Sequence, residues 1–173
     1  MQALSSLTMI LILSILFAIQ PVDRIDEWRS LYFQSKDDSN IAIFYSKISS
    51  AQISTSKERA YLGVATAMNA SCMSWPGEKL DYFNRGKDIL ENCIRESYHD
   101  AEIHFLRFSM QCETPGILGY TSNKQEDLNI ILTAIQKGVS KECSHFWKNA
   151  ANYLLQSKEL SESQKQIIKQ NVY

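Results

Sequence analysis

Residues 101–112 read AEIHFLRFSMQC. Ile103, Phe105, Leu106, Phe108 and Met110 wrap apolar surface around most of a helical circumference, so the spacing predicts a helix with little face left for solvent. Asp100 stands in front of it as an N-cap, able to accept from the free N–H groups of the first turn. Thr114-Pro115-Gly116 stops it, because proline cannot continue a helix. A helix apolar on most sides needs neighbours on most sides. This segment is therefore expected to be the central helix of an all-α protein.

The flanking sequence supplies those neighbours. Thr55-Ser56-Lys57-Glu58 is a capping box, and the helix it opens carries Tyr61, Val64, Ala65, Met68 and Cys72 on one stripe. Trp75-Pro76-Gly77 is expected to break the chain before a helix over about 78–96, which shows Tyr82, Gly86, Ile89 and Cys93 beside a second row of Phe83, Leu90 and Ile94. An earlier pair covers about 23–34 and 39–50, with Ile25, Trp28, Leu31 and Tyr32 on one face. Downstream, Ile117-Leu118-Gly119-Tyr120 is an apolar loop expected to pack. Ser122-Asn123-Lys124-Gln125 opens a helix to about Lys137, with Gly138 at its stop. Helices over about 144–156 and 161–171 follow, the last opened by a second capping box, Ser161-x-x-Gln164.

Helices begin near 57, 100 and 144, a spacing of about 43 residues, which is the signature of a repeated helix–turn–helix unit. The expected fold is all-α: stacked antiparallel helical hairpins, tetratricopeptide-like, about eight helices, in a single repeat domain over residues 21–173. The usual tetratricopeptide period is about 34, and its Trp, Gly, Ala and Pro positions are out of register here, so any kinship is divergent.

Eighteen basic and nineteen acidic residues nearly cancel among 173. Without a basic face, nucleic acid is not an expected partner. The 45% hydrophobic and 21% charged fractions suit a folded globule. Residues 1–22 hold no charge, and Leu7–Ile19 (LTMILILSILFAI) is apolar almost throughout. That run fits the core of a signal peptide over 1–20 and is short for a membrane span, which takes about 20 apolar residues. An n-region without Lys or Arg leaves an uncleaved anchor as the alternative. Export to the periplasm or beyond is expected, with membrane contact only through this segment.

KERAYLGVATAM (57–68), LDYFNRGKDILE (80–91) and the long stretch from Ala101 to Leu132 resemble a family of uncharacterised exported bacterial proteins of the Bacteroidetes type. Its pattern here includes Leu80, Tyr82-Phe83, Gly86-Lys87, Phe105-Leu106-Arg107-Phe108-Ser109, Pro115, Leu118-Gly119-Tyr120 and Glu126-Asp127. His104 and Cys112 depart from it. The resemblance covers about 57–140 and implies export and an all-helical fold, but no activity.

Four cysteines in an exported chain raise the question of disulfides. Cys72 and Cys93 would sit roughly 20 Å apart along antiparallel helices, too far for a bridge. Cys72 and Cys112 would lie at matching heights on successive outer helices, so that pair is the candidate against four free thiols. No CxxC pair suggests zinc, and His99 and His104 lie five apart, off the i, i+4 alignment that clasps a metal. No metal, cofactor or catalytic residue is expected. Asn69-Ala70-Ser71 matches a glycosylation acceptor but falls inside a predicted helix.

His104, Arg107 and Gln111 form a polar stripe on the central helix at i, i+3, i+7. A guanidinium there must be paired, with Asp127, Glu126 or Asp88 as partners in reach. The stripe is either an internal strut or, with Tyr120 and Asp127, a polar pocket for an anion. The leading expectation is a non-catalytic interaction module of the cell envelope that binds an unidentified protein or peptide. The alternative is a small-ligand binder or enzyme built on His104, Arg107 and Tyr120.

Overall fold

The computed structural model describes residues 24–173, so the expected export segment at 1–20 lies outside the described residues. Among the described residues eight α-helices succeed one another: α1 Arg24–Gln34, α2 Asp38–Ser49, α3 Ser56–Met68, α4 Pro76–Glu96, α5 Ala101–Glu113, α6 Lys124–Gln136, α7 Ser144–Gln156 and α8 Glu162–Val172. Short 3-10 turns stand at Asn69–Cys72, Gly116–Leu118 and Val139–Lys141, and no strand occurs among the described residues. The protein is all-α.

Local chemistry sets most of the boundaries. Thr55 and Glu58 close a reciprocal capping box at α3, and Ser161 and Gln164 do so at α8. Asp100 accepts from the N–H groups of Glu102 and Ile103 at the start of α5. Gly138 comes after α6 with a φ of 92°, a left-handed turn that glycine adopts without strain. Two expectations are corrected. Pro76 begins α4 rather than ending the previous helix, because at N1 its missing N–H has no partner to lose. Ile117 is 94% exposed, so the apolar loop packs only at its end, through Tyr120.

α5 is buried from Ala101 to Gln111. Its apolar side chains contribute roughly 1.5–3 kcal/mol each when enclosed. α3, α4 and α6 pack against it directly. α1 and α7 reach it through rings: Phe105 meets Tyr32 and Phe33 of α1 and Phe146 and Tyr153 of α7, with centroids 5.6–6.3 Å apart. α3 and α4 are pressed closest together, at Gly63 and Gly86. A Cβ on Gly86 would fall 2.4 Å from both the Ala67 nitrogen and the Gly63 oxygen.

Consecutive helices pack in order from α1 to α6, and α7 packs on α8. Three further contacts, α1 with α3, α3 with α5 and α6 with α8, join helices two apart in sequence. One contact lies outside this scheme: α1 also touches α7, so the row of helices closes on itself. Phe33 stacks on Phe146 at 5.6 Å, and the Arg29 guanidinium lies 5.6 Å over the same ring. At its other end α1 is held by Glu58, which takes Arg24, the Ser54 hydroxyl and the N–H groups of Ser54 and Thr55. Burial alone would raise the Glu58 pKa. The hydrogen bonds from Ser54, Arg24 and Thr55 outweigh it and hold the carboxyl at about 2.

This packing has two measurable consequences. Gly86→Ala is expected to lower unfolding stability by roughly 1–3 kcal/mol, because backbone would have to give way. Gly77→Ala, with nothing within 4 Å, serves as the control, and equal urea midpoints for the two variants would refute the close-packing account. For Glu58, a depressed folded-state pKa means its contribution is complete above the usual carboxyl range near 4.5 and fades as pH falls toward 2. The stability gap between wild type and Glu58→Gln should shrink between pH 6 and pH 2.5, and a constant gap would count against the assignment.

Candidate functional site

Of the five residues singled out on and beside the central helix, His104, Arg107 and Asp127 meet directly and Tyr120 joins them through Glu91, whereas Gln111 bonds to none of them. Arg107 is enclosed, and its guanidinium is used on every side. Nε donates to Asp127 at 3.0 and 3.1 Å, Nη2 to Asp127 at 2.6 Å and Glu126 at 3.2 Å, and Nη1 to Glu91 at 3.0 Å. Asp127 and Glu126 were among the expected partners. Asp88 is replaced by Glu91, one turn further along α4, while Asp88 itself is exposed. Burial opposes the guanidinium charge, but Asp127 and Glu91 more than restore it.

Both ring nitrogens of His104 face oxygens. Nδ1 lies 2.5 Å from Asp127 Oδ1 and Nε2 lies 2.7 Å from the Tyr98 carbonyl. Tyr120 donates to Glu91 at 2.5 Å, and burial together with that carboxylate pushes its hydroxyl well above the ordinary tyrosine range. Gln111 reaches Asn123 at only 3.5 Å, and its own Oε1 is a buried oxygen that no donor meets. The cluster is self-contained: its charges are spent on one another.

A second buried cluster lies toward the start of the same helix, with the signs exchanged. Arg29 grips Glu102 with two bonds of 2.8 and 2.6 Å, Lys57 adds a third at 3.0 Å, and the Tyr61 hydroxyl a fourth at 2.8 Å. Burial would raise the Glu102 pKa, but Arg29 and Lys57 hold it below the ordinary value. Sequence reading passed over Glu102 as a structural anchor. Its position two residues after an N-cap on an apolar helix was the available signal.

Open space lies elsewhere. A groove of about 1120 Å³ runs between α3, α4, α5 and α7 at the C-terminal end of α1, and none of the five expected residues lines it. α3 offers Val64, Ala67 and Met68 to it, and α4 offers Pro76, Lys79, Leu80 and Phe83. α7 offers Asn149, Asn152, Tyr153 and Gln156. These are i, i+3, i+4 stripes, so each helix turns one face to the groove. Tyr32 donates to or accepts from Ser109 at 2.6 Å on the floor, and Tyr153 donates to Glu113 at 2.8 Å. Leu80 and Leu118 line the groove and are exposed, and next to lining residues stand the exposed Trp75 and Ile117.

The cysteines are all free thiols. The expected Cys72–Cys112 bridge is not formed. α3 ends at Met68 and continues as a 3-10 turn, which takes Cys72 off the helix axis and sets its thiol 3.4 Å from the Asp38 carbonyl of α2. Cys112 sits at the far end of α5, where burial pushes its thiol up to about 11. Asn69 of the glycosylation-like triplet is buried, which closes it to modification. Among the described residues, no three His, Cys, Asp or Glu side chains gather in a way that would hold a metal ion. No helix there is long and apolar enough to cross a membrane.

Fold and site define an all-α protein with a self-paired polar core and one large lateral groove. No protein-family model, curated protein or solved structure matches this chain.

Arg107→Met would leave Asp127 buried with His104 alone and strip Glu91 of its cation. Breaking such a pair costs roughly 3–5 kcal/mol. Replacing both, as Arg107→Met with Asp127→Leu, is expected to recover part of that loss. Urea unfolding of the single and double variants checks it, and a single-variant loss below about 1 kcal/mol would contradict the strut.

Proposed function

We propose that this chain is a non-catalytic, exported helical-repeat protein of the cell envelope that binds a protein or peptide segment in the groove between α3, α4, α5 and α7. The single observation carrying this is the groove itself. It is partly open to solvent, mostly apolar in lining, and edged by the exposed side chains of Leu80 and Leu118. Apolar surface gathered at the edge of a groove is the ordinary mark of a binding face. A tetratricopeptide-like arrangement accords with it, since α3, α5 and α7 start at 56, 101 and 144 and all turn side chains to the groove. Export rests on the uncharged, apolar N-terminal sequence and on the family resemblance.

The alternative reading, a ligand site or enzyme centred on His104, Arg107 and Tyr120, gains less support. All three guanidinium nitrogens of Arg107 already donate to carboxylates, and His104 and Tyr120 are likewise engaged.

Leu80→Asp places a charge on the groove edge without touching the core. The full-length chain, screened against a random peptide library, is expected to yield binders that lose at least about tenfold in affinity with this variant. Its unfolding midpoint should stay near that of wild type. Binders indifferent to Leu80→Asp would move the binding face elsewhere.

A further inference from the structure

We propose that the groove's occupant is an extended, apolar peptide segment whose acidic side chains lie toward Lys36 and Lys79. This rests on the peptide-binding reading above and adds to it the chemistry of the partner.

The floor of the groove continues a seat that the protein already uses. α1 lies along α5, with Arg29 on Glu102, Phe33 against Phe105 and Tyr32 on Ser109. The groove opens where α1 stops, and Tyr32, Phe33 and Ser109 belong to both. A segment entering it meets Tyr32 and Phe33 at the end of α1 together with Ser109 of α5. Affinity of the apolar kind is thus built into the floor.

The charge on the lining is not balanced. Lys36 and Lys79 line the groove, and neither has an acidic partner among the described residues. The acidic residue of the lining, Glu113, accepts from Tyr153. Asp38, near the lysine end, accepts from the Ser71 hydroxyl and does not line the groove. The charged side chains of the lining, Lys36, Lys79 and Glu113, therefore sum to a net positive charge. An acidic segment complements it.

The α7 wall favours a peptide over a small amphipathic anion. Asn149, Asn152 and Gln156 succeed one another along one helix face at i, i+3 and i+7. Asn149 Nδ2 already meets His145 Nε2 and Asn152 Oδ1 accepts from Tyr173, which leaves the Asn149 oxygen, the Asn152 nitrogen and the Gln156 amide for the main chain of an extended peptide. An acyl chain would use none of these groups.

The test uses a random octapeptide library selected on the immobilised full-length chain, on Lys36→Glu/Lys79→Glu and on Leu80→Asp. Wild type is expected to enrich Asp and Glu together with Leu, Phe or Trp. The doubly reversed variant is expected to bind those peptides about tenfold more weakly and to enrich Lys and Arg instead. The acidic preference should also fade in about 0.5 M salt, where screening is strong. Apolar binders that are lost in Leu80→Asp but show no acidic preference, or the same preference in the reversed variant, overturn this inference and leave the groove reading standing. No peptide binders at all, or binders unaffected by Leu80→Asp, overturn both.

Discussion

A helix buried on every side can carry charge only if its neighbours bring the opposite charge to it. α5 carries Glu102 and Arg107 into the interior, and that requirement orders the rest of the molecule. Glu102 is met by Arg29 from α1 and by Lys57 and Tyr61 from α3. Arg107 is met by Glu91 from α4 and by Glu126 and Asp127 from α6. Four helices are thus fixed in rotation and height by bonds to one helix, where apolar packing alone would tolerate a slip of one turn. Desolvation makes such pairs poor sources of net stability. Their geometric demand makes them good locks.

The division of labour along α5 stems from this. Its charged turns are consumed internally, whereas its last turn, with Ser109, Met110 and Glu113, turns toward open space. The polar residues that most invite a functional reading are therefore the structural ones. The groove is made of residues that look ordinary in a sequence: Val64, Ala67, Leu80, Asn149 and their neighbours.

Much of this was legible in the sequence because it depends on short-range chemistry. Capping boxes at Thr55 and Ser161, the N-cap at Asp100 and the helical spacing of apolar residues act within one or two turns, and eight helices stand near the places they indicate. A buried Arg107 in need of Asp127 was likewise readable, since burial and pairing are linked by the cost of desolvation. What escaped depends on where distant helices meet. Glu91 in place of Asp88 is a matter of which face of α4 turns inward. The seat of α1 across α5 and α7 brings together residues 73 positions apart, as in Arg29 and Glu102. Pro76 is ambiguous in sequence because proline both stops one helix and opens the next, and only the packing of α4 decides between the two roles. Cys72 escapes the helical stripe because the helix before it tightens into a 3-10 turn, which no periodicity reveals.

The long reach of α1 has a consequence for the order of events in synthesis. Phe33 rests on Phe146 and Asp26 meets Cys143, so part of the helix's seat lies more than a hundred residues downstream. Leaving the ribosome, α1 emerges with its apolar face bare and with nothing yet made to cover it. The α3–α4 pair, whose contacts are close in sequence, can form while α1 still waits. Docking of α1 is in this sense a proof of completeness: the row closes only once α7 has been translated and folded.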